Sequence, residues 1–104
     1  MLKASDMNKN EPTNTAVVGT GFIGRAWAIS FARAGSKVCL WDQAEGAARK
    51  AISYISGVLD DLAMNDLLNG QDASTVMARI SLAKTLEDAL ADAMHVQENT
   101  PEIL

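Results

Sequence analysis

A chain of 104 residues with nine basic and thirteen acidic side chains, a formal net charge of −4, has room for one domain and lacks the net basic face of a nucleic-acid binder. Its 48% apolar composition is that of a globular protein, and its longest apolar, charge-free stretch, 13–24, falls short of the ~20 residues a membrane helix needs. A single cysteine, Cys39, and a single histidine, His95, leave no internal disulfide and no zinc cage to build, so no metal site is expected.

Residues 1–15 read as a polar, loosely attached tail. Pro12 opposes a helix there, and neither the apolar core of a secretory signal nor the arginines of a presequence are present, which makes the cytoplasm the expected compartment. The domain, 16–104, opens on the β-prone run Thr15-Ala16-Val17-Val18, overlapping the tail by one residue and ending at Gly19. Phe22–Ala34 reads as a helix with Ile23, Trp27 and Phe31 along one face, the aromatic pair expected in the core, and Gly35 in the C′ position. Lys37–Trp41 is a second strand ended by Asp42. A long helical insertion follows, from Ala44 to about Leu68, with Ile52, Ile55, Leu59 and Leu62 at helical spacing and Asn69-Gly70 as its stop.

Asp72 is placed to cap a short helix, Ala73–Ala78, before a third strand over Arg79–Leu82. Thr85-Leu86-Glu87-Asp88 resembles a capping box and starts another helix, and Met94–Glu98 reads as the fourth strand. The order β-α-β-α-α-β-α-β predicts an α/β fold. More specifically, it predicts a partial Rossmann-type doubly wound parallel sheet of four strands ordered 3-2-1-4.

Gly19-Thr20-Gly21-Phe22-Ile23-Gly24 is a G-x-G-x-x-G sequence between a predicted strand and a predicted helix. Gly19 serves the tight turn, Gly21 lets the backbone approach a pyrophosphate, and Gly24 allows close helix packing. The helix start offers unpaired N–H groups to phosphate oxygens. Asp42 lies eighteen residues beyond Gly24, at the end of the second strand. A carboxylate there accepts from both adenosine ribose hydroxyls and repels a 2′-phosphate, and Gln43 brings no compensating cation. NAD is therefore the expected cofactor. Asp42 could also cap the helix that follows.

With strands ordered 3-2-1-4, Gln97, Glu98, Asn99, Thr100 and Glu102 fall at strand tips on the nicotinamide side. Cys39 is expected to be a buried, inert thiol in mid-strand. His95 has no partner acid placed by sequence, and Arg25, Arg33, Arg49 and Lys50 are expected on solvated helix faces. No residue of the chain is expected to be catalytic.

The stretch AVVGTGFIGRAWAISFARAGSKVCLWD, with Gly24-Arg25-Ala26-Trp27-Ala28 opening the helix, and the later ARISLAKTLEDALADAMHVQENTPE resemble the NAD-binding domain of the 3-hydroxyacyl-CoA dehydrogenase family. The likeness is strongest to its lambda-crystallin branch, which includes L-gulonate 3-dehydrogenase. The resemblance implies that Phe22 and Ile23 lie on the pyrophosphate turn, that Asp42 holds the adenosine ribose, and that Glu102 stands near the nicotinamide ribose. It implies oxidation of the 3-hydroxyl of a small-molecule substrate, a 3-hydroxyacyl-CoA or a 3-hydroxy acid. The family's catalytic histidine–glutamate pair, and the helical domain through which it forms homodimers, are expected beyond residue 104. A non-catalytic NAD-sensing domain and an FAD-binding module are the rival readings.

Overall fold

A computed structural model describes residues 13–99. Four strands, β1 (Asn14–Val18), β2 (Lys37–Trp41), β3 (Ile80–Leu82) and β4 (His95–Glu98), form one parallel sheet ordered β3-β2-β1-β4. Between them run α1 (Phe22–Arg33), α2 (Ala47–Met64), α3 (Ala73–Met77) and α4 (Leu86–Leu90). Element order, strand order and the parallel α/β architecture are those expected from the sequence. No described helix is long and apolar enough to cross a membrane.

The registers Ala16↔Cys39, Cys39↔Ser81 and Ala16↔Val96 put these residues on one face of the sheet. The other face carries Val17, Val38, Leu40 and Ile80, which pack with Ala28 and Ala32 of α1, with Ala51, Ile55 and Leu59 of α2, and with Leu68 and Val76. Among the described residues only the short α4 crosses the first face, over β1 and β2. Its Ala89 is buried there, while Cys39 is half-buried rather than enclosed.

α1 turns a different stripe inward from the one its large residues suggest. Its buried positions are Gly24, Ala28 and Ala32, at i, i+4 and i+8. Small side chains let the helix axis come close to the sheet, and the larger residues one position back are rotated toward β4. Trp27 therefore lies outside the core, and Phe31 is partly buried against its margin. Their rings stack at 5.5 Å, Phe31 meets the His95 ring edge-on at 5.5 Å, and Trp27 is 41% exposed. The cause is the position of β4, which pairs with β1 alone and leaves its outer edge open among the described residues.

Several boundaries move for local reasons. β1 starts at Asn14, inside the stretch assigned to the tail. Asn14 pairs with Lys37 in register, and its carbonyl accepts the Met94 N–H at 2.8 Å. α2 is shorter at both ends than the expected span from Ala44 to Leu68. Gly46, at φ +78°, sits in its N-cap position, and Asp66, Asn69 and Gly70 all adopt positive φ beyond Met64. Asp72 occupies the N-cap position of α3 but makes no side-chain capping bond, whereas Thr85 caps α4 through the Asp88 N–H.

Candidate functional site

The three strand tips Val18, Trp41 and Glu98 converge on the glycine-rich turn, because β1 lies between β2 and β4. The Gly19 N–H donates to the Trp41 carbonyl at 2.9 Å, and the Asn99 N–H donates to the Val18 carbonyl at 2.8 Å. Gly19 has φ +91°, and a β-carbon there would strike the Asn99 carbonyl oxygen. A β-carbon on Gly24 would strike the carbonyl oxygen of Gly19 itself. The chain's own packing thus demands glycine at both positions.

Gly21 is different. Its φ of −68° is open to any residue, and a β-carbon there meets no atom of the described residues within 4 Å. Neither backbone conformation nor packing requires glycine at this position; a group lying against the turn would. α1 begins at the next residue with no side-chain cap and no acid in its first turn. Its leading N–H groups are left for an external acceptor, and the helix dipole favours an anionic one. The space over Gly21 and this uncapped start fit a pyrophosphate, so the residues present suit a dinucleotide.

At the tip of β2, both oxygens of Asp42 are engaged. Oδ2 accepts from the Thr20 amide at 2.7 Å and from the Thr20 hydroxyl at 2.8 Å, and Oδ1 accepts from the Ala44 N–H at 2.8 Å. Partial burial opposes ionisation of this carboxyl. The bond from Ala44 and then the two from Thr20 outweigh that burial and hold it below its ordinary range. The contact with Ala44 is a local turn. Asp42 does not cap α2, whose N-cap position belongs to Gly46.

Thr20, Arg25 and Tyr54 belong to this arrangement as well, although the sequence alone gives none of them a role in it. Thr20 is 1% exposed. Arg25 does not lie on a solvated face: its Nε donates to the Thr20 carbonyl at 2.9 Å, and its guanidinium covers the rings of Phe22 and Tyr54 at 5.3 and 5.0 Å. Phe22 and Tyr54 meet edge to face at 5.9 Å, which ties the start of α1 to α2. The one available signal was Thr20 itself, a hydroxyl residue inside the glycine motif.

At the β4 tip, the Asn99 side chain lies against Gly19 and Gly24, with its amide nitrogen 3.4 Å from the Val18 carbonyl oxygen. Gln97 is half-buried beside it, and Glu98 is exposed. Thr100 and Glu102 lie outside the described residues. His95 faces Phe31, away from the Asp42 group. Among the described residues, no three histidine, cysteine or acidic side chains are grouped to hold a metal. A polar depression lined by Lys37, Cys39, Ser81, Asp88 and Asp92 lies beneath α4, against the early residues of β1 and β2 and away from the glycine turn.

The sequence model for the NAD binding domain of 3-hydroxyacyl-CoA dehydrogenases matches residues 14–104. A lambda-crystallin homolog of Bos taurus is 37% identical over 94 residues, covering 89% of this chain and 29% of the relative. An L-carnitine dehydrogenase of Streptomyces griseus is 39% identical over 89 residues, covering 86% and 25%. Among solved structures, 3-hydroxybutyryl-CoA dehydrogenase of Escherichia coli K12 aligns with a TM-score of 0.77 at 27% identity, over 89% of this chain and 20% of that one. The (S)-3-hydroxybutyryl-CoA dehydrogenase of Ralstonia eutropha aligns with a TM-score of 0.77 at 26% identity, over 90% and 33%. The chain thus spans a third or less of these relatives. It belongs to the 3-hydroxyacyl-CoA dehydrogenase family, whose NAD-binding domain it carries.

Proposed function

We propose that this chain is the cofactor-holding part of an enzyme that oxidises the 3-hydroxyl of a 3-hydroxyacyl-CoA or a free 3-hydroxy acid. NAD, when bound, accepts the hydride removed from carbon 3. The backbone from Gly19 to Gly24, including the N–H groups of Phe22 and Ile23, holds the pyrophosphate, and Asp42 holds the adenosine ribose. Glu102 is assigned to the nicotinamide ribose through the family resemblance. The space above Gly21, which none of the described residues fills, is the observation that carries this assignment.

The base for the hydroxyl proton is assigned outside the described residues. The chain's one histidine, His95, lies edge-on to Phe31 on an edge strand, and proton removal needs a base within hydrogen-bond reach of the hydroxyl. The catalytic groups, and the surface that forms a homodimer, are assigned to sequence outside this chain. The cytoplasm remains the proposed compartment, supported by the single cysteine.

The test is NADH formation, read by the absorbance of the reduced nicotinamide, with the chain supplied with NAD and in turn with 3-hydroxybutyryl-CoA and L-carnitine. NAD should bind while no NADH forms above the reagent blank. Turnover by the chain alone would contradict the assignment of the catalytic groups. Absence of NAD binding would contradict the cofactor site.

A further inference from the structure

Asp42 makes its contacts through a residue of the glycine motif that has no part in the motif's usual logic. Thr20 contributes two donors, its amide and its hydroxyl, to one oxygen of the carboxylate, at 2.7 and 2.8 Å. An sp² carboxylate oxygen has two lone pairs, so Oδ2 is saturated. Oδ1 takes the Ala44 N–H at 2.8 Å and keeps one acceptor position uncommitted, enough for one ribose hydroxyl rather than the two expected from the sequence. Three bonds to two oxygens fix the rotation of the carboxylate plane. Thr20 is fixed in turn: it is 1% exposed, and its carbonyl takes the Nε of Arg25 at 2.9 Å.

We propose that Thr20 is the positioning residue that sets the orientation of Asp42, and through it the preference for a ribose carrying a free 2′-hydroxyl over one carrying a 2′-phosphate. The proposal rests on the assignment of Asp42 to the adenosine ribose. Without the Thr20 hydroxyl the carboxylate retains the two amide donors, one on each oxygen, but Oδ2 loses one of its two bonds and the carboxylate plane is held less firmly. An acceptor with a fixed direction selects a hydroxyl donor more sharply than one that can swing toward solvent. Arg25 acts further back. Its bond to the Thr20 carbonyl, together with its contacts to Phe22 and Tyr54, holds the peptide whose neighbouring atoms grip Asp42.

The experiment is calorimetric titration of NAD and of NADP into the protein and into Thr20→Val, Thr20→Ser, Asp42→Ala and the double variant Thr20→Val/Asp42→Ala. Val keeps the shape of Thr20 and puts a methyl where the hydroxyl was. Thr20→Ala is measured beside it, so that a methyl pressing on the carboxylate does not decide the result. Thr20→Val and Thr20→Ala should each weaken NAD binding roughly tenfold and narrow the preference over NADP, the scale of one hydrogen bond to a charged acceptor. Thr20→Ser should restore both quantities. With Asp42 already removed, Thr20→Val should cost nothing further. An equal loss in both backgrounds, or a Ser variant as impaired as Val, overturns the role of Thr20 and leaves the ribose assignment standing. A wild-type protein that binds neither cofactor removes that assignment, and the proposal with it.

Discussion

Thr20 and Asp42 stand twenty-two residues apart, yet two hydrogen bonds of 2.7 and 2.8 Å join them across the tips of neighbouring strands. The contact exists because β1 and β2 are paired in parallel, with Val18 opposite Trp41, so both strands end at the same level. The chain then turns at Gly19 toward α1 and brings Thr20 over the Asp42 carboxylate. The site is a product of register. A shift of β2 by one residue would send Asp42 to the other face of the sheet.

The Asp42 carboxyl is held below its ordinary range by bonds that favour the anion, despite partial burial. A group whose folded-state pKa is depressed contributes stability above its unfolded pKa, and that stability is lost as pH falls through the folded value. Denaturant unfolding should show a stability loss in the protein, below the usual carboxylate range, that Asp42→Asn lacks. Identical acid profiles for the two proteins would show that the three bonds do not favour the charged form.

The glycines of the motif separate into two kinds. Gly24→Ala forces a methyl into the Gly19 carbonyl, and overpacking of this type costs about 1–3 kcal/mol. Gly21→Ala meets no atom of the described residues, and its stability should stay within about 0.5 kcal/mol of wild type, as for an ordinary surface change. NAD affinity should nevertheless fall in Gly21→Ala. Thermal melts alongside NAD titration check this split, and a Gly21→Ala protein that binds NAD normally would contradict the use proposed for that space.

α1 offers a test of which face is structural. Ala28 is fully buried against the sheet, so Ala28→Leu should destabilise by about 1–3 kcal/mol. Trp27→Ala removes a stacked ring that is 41% exposed, and it should cost less, the lost aromatic pairing contributing about 0.5–1.5 kcal/mol beyond the area the ring buries. Urea unfolding of both variants decides the order. The reverse order would return Trp27 to the core.

The parallel sheet and its strand order were legible because short apolar runs alternate with helical spacing, and because Gly19 and Asp42 mark strand ends. The inward face of α1 was not. Residue size favours Trp27 and Phe31 for a core, but the closeness of helix to sheet selects Ala28 and Ala32, and that closeness is a tertiary fact. Arg25 was misplaced for a related reason: the rings that cover it, Phe22 and Tyr54, belong to two helices whose meeting no local pattern announces. Asp42 was identified as a strand-end carboxylate, while its partner Thr20 went unnoticed because the motif's logic attends to its glycines.

The central claim is that Asp42 selects the cofactor, and parallel titration of NAD and NADP into wild type and Asp42→Ala tests it most directly. Two unit charges at ~4 Å in an effective dielectric of ~20 repel by about 4 kcal/mol before screening. A third of that already gives roughly tenfold discrimination against a 2′-phosphate. Wild type should bind NAD at least about tenfold more tightly than NADP, and Asp42→Ala should lose NAD affinity and most of that preference together. Equal wild-type affinities, or an Asp42→Ala protein that keeps the full preference, would contradict the account.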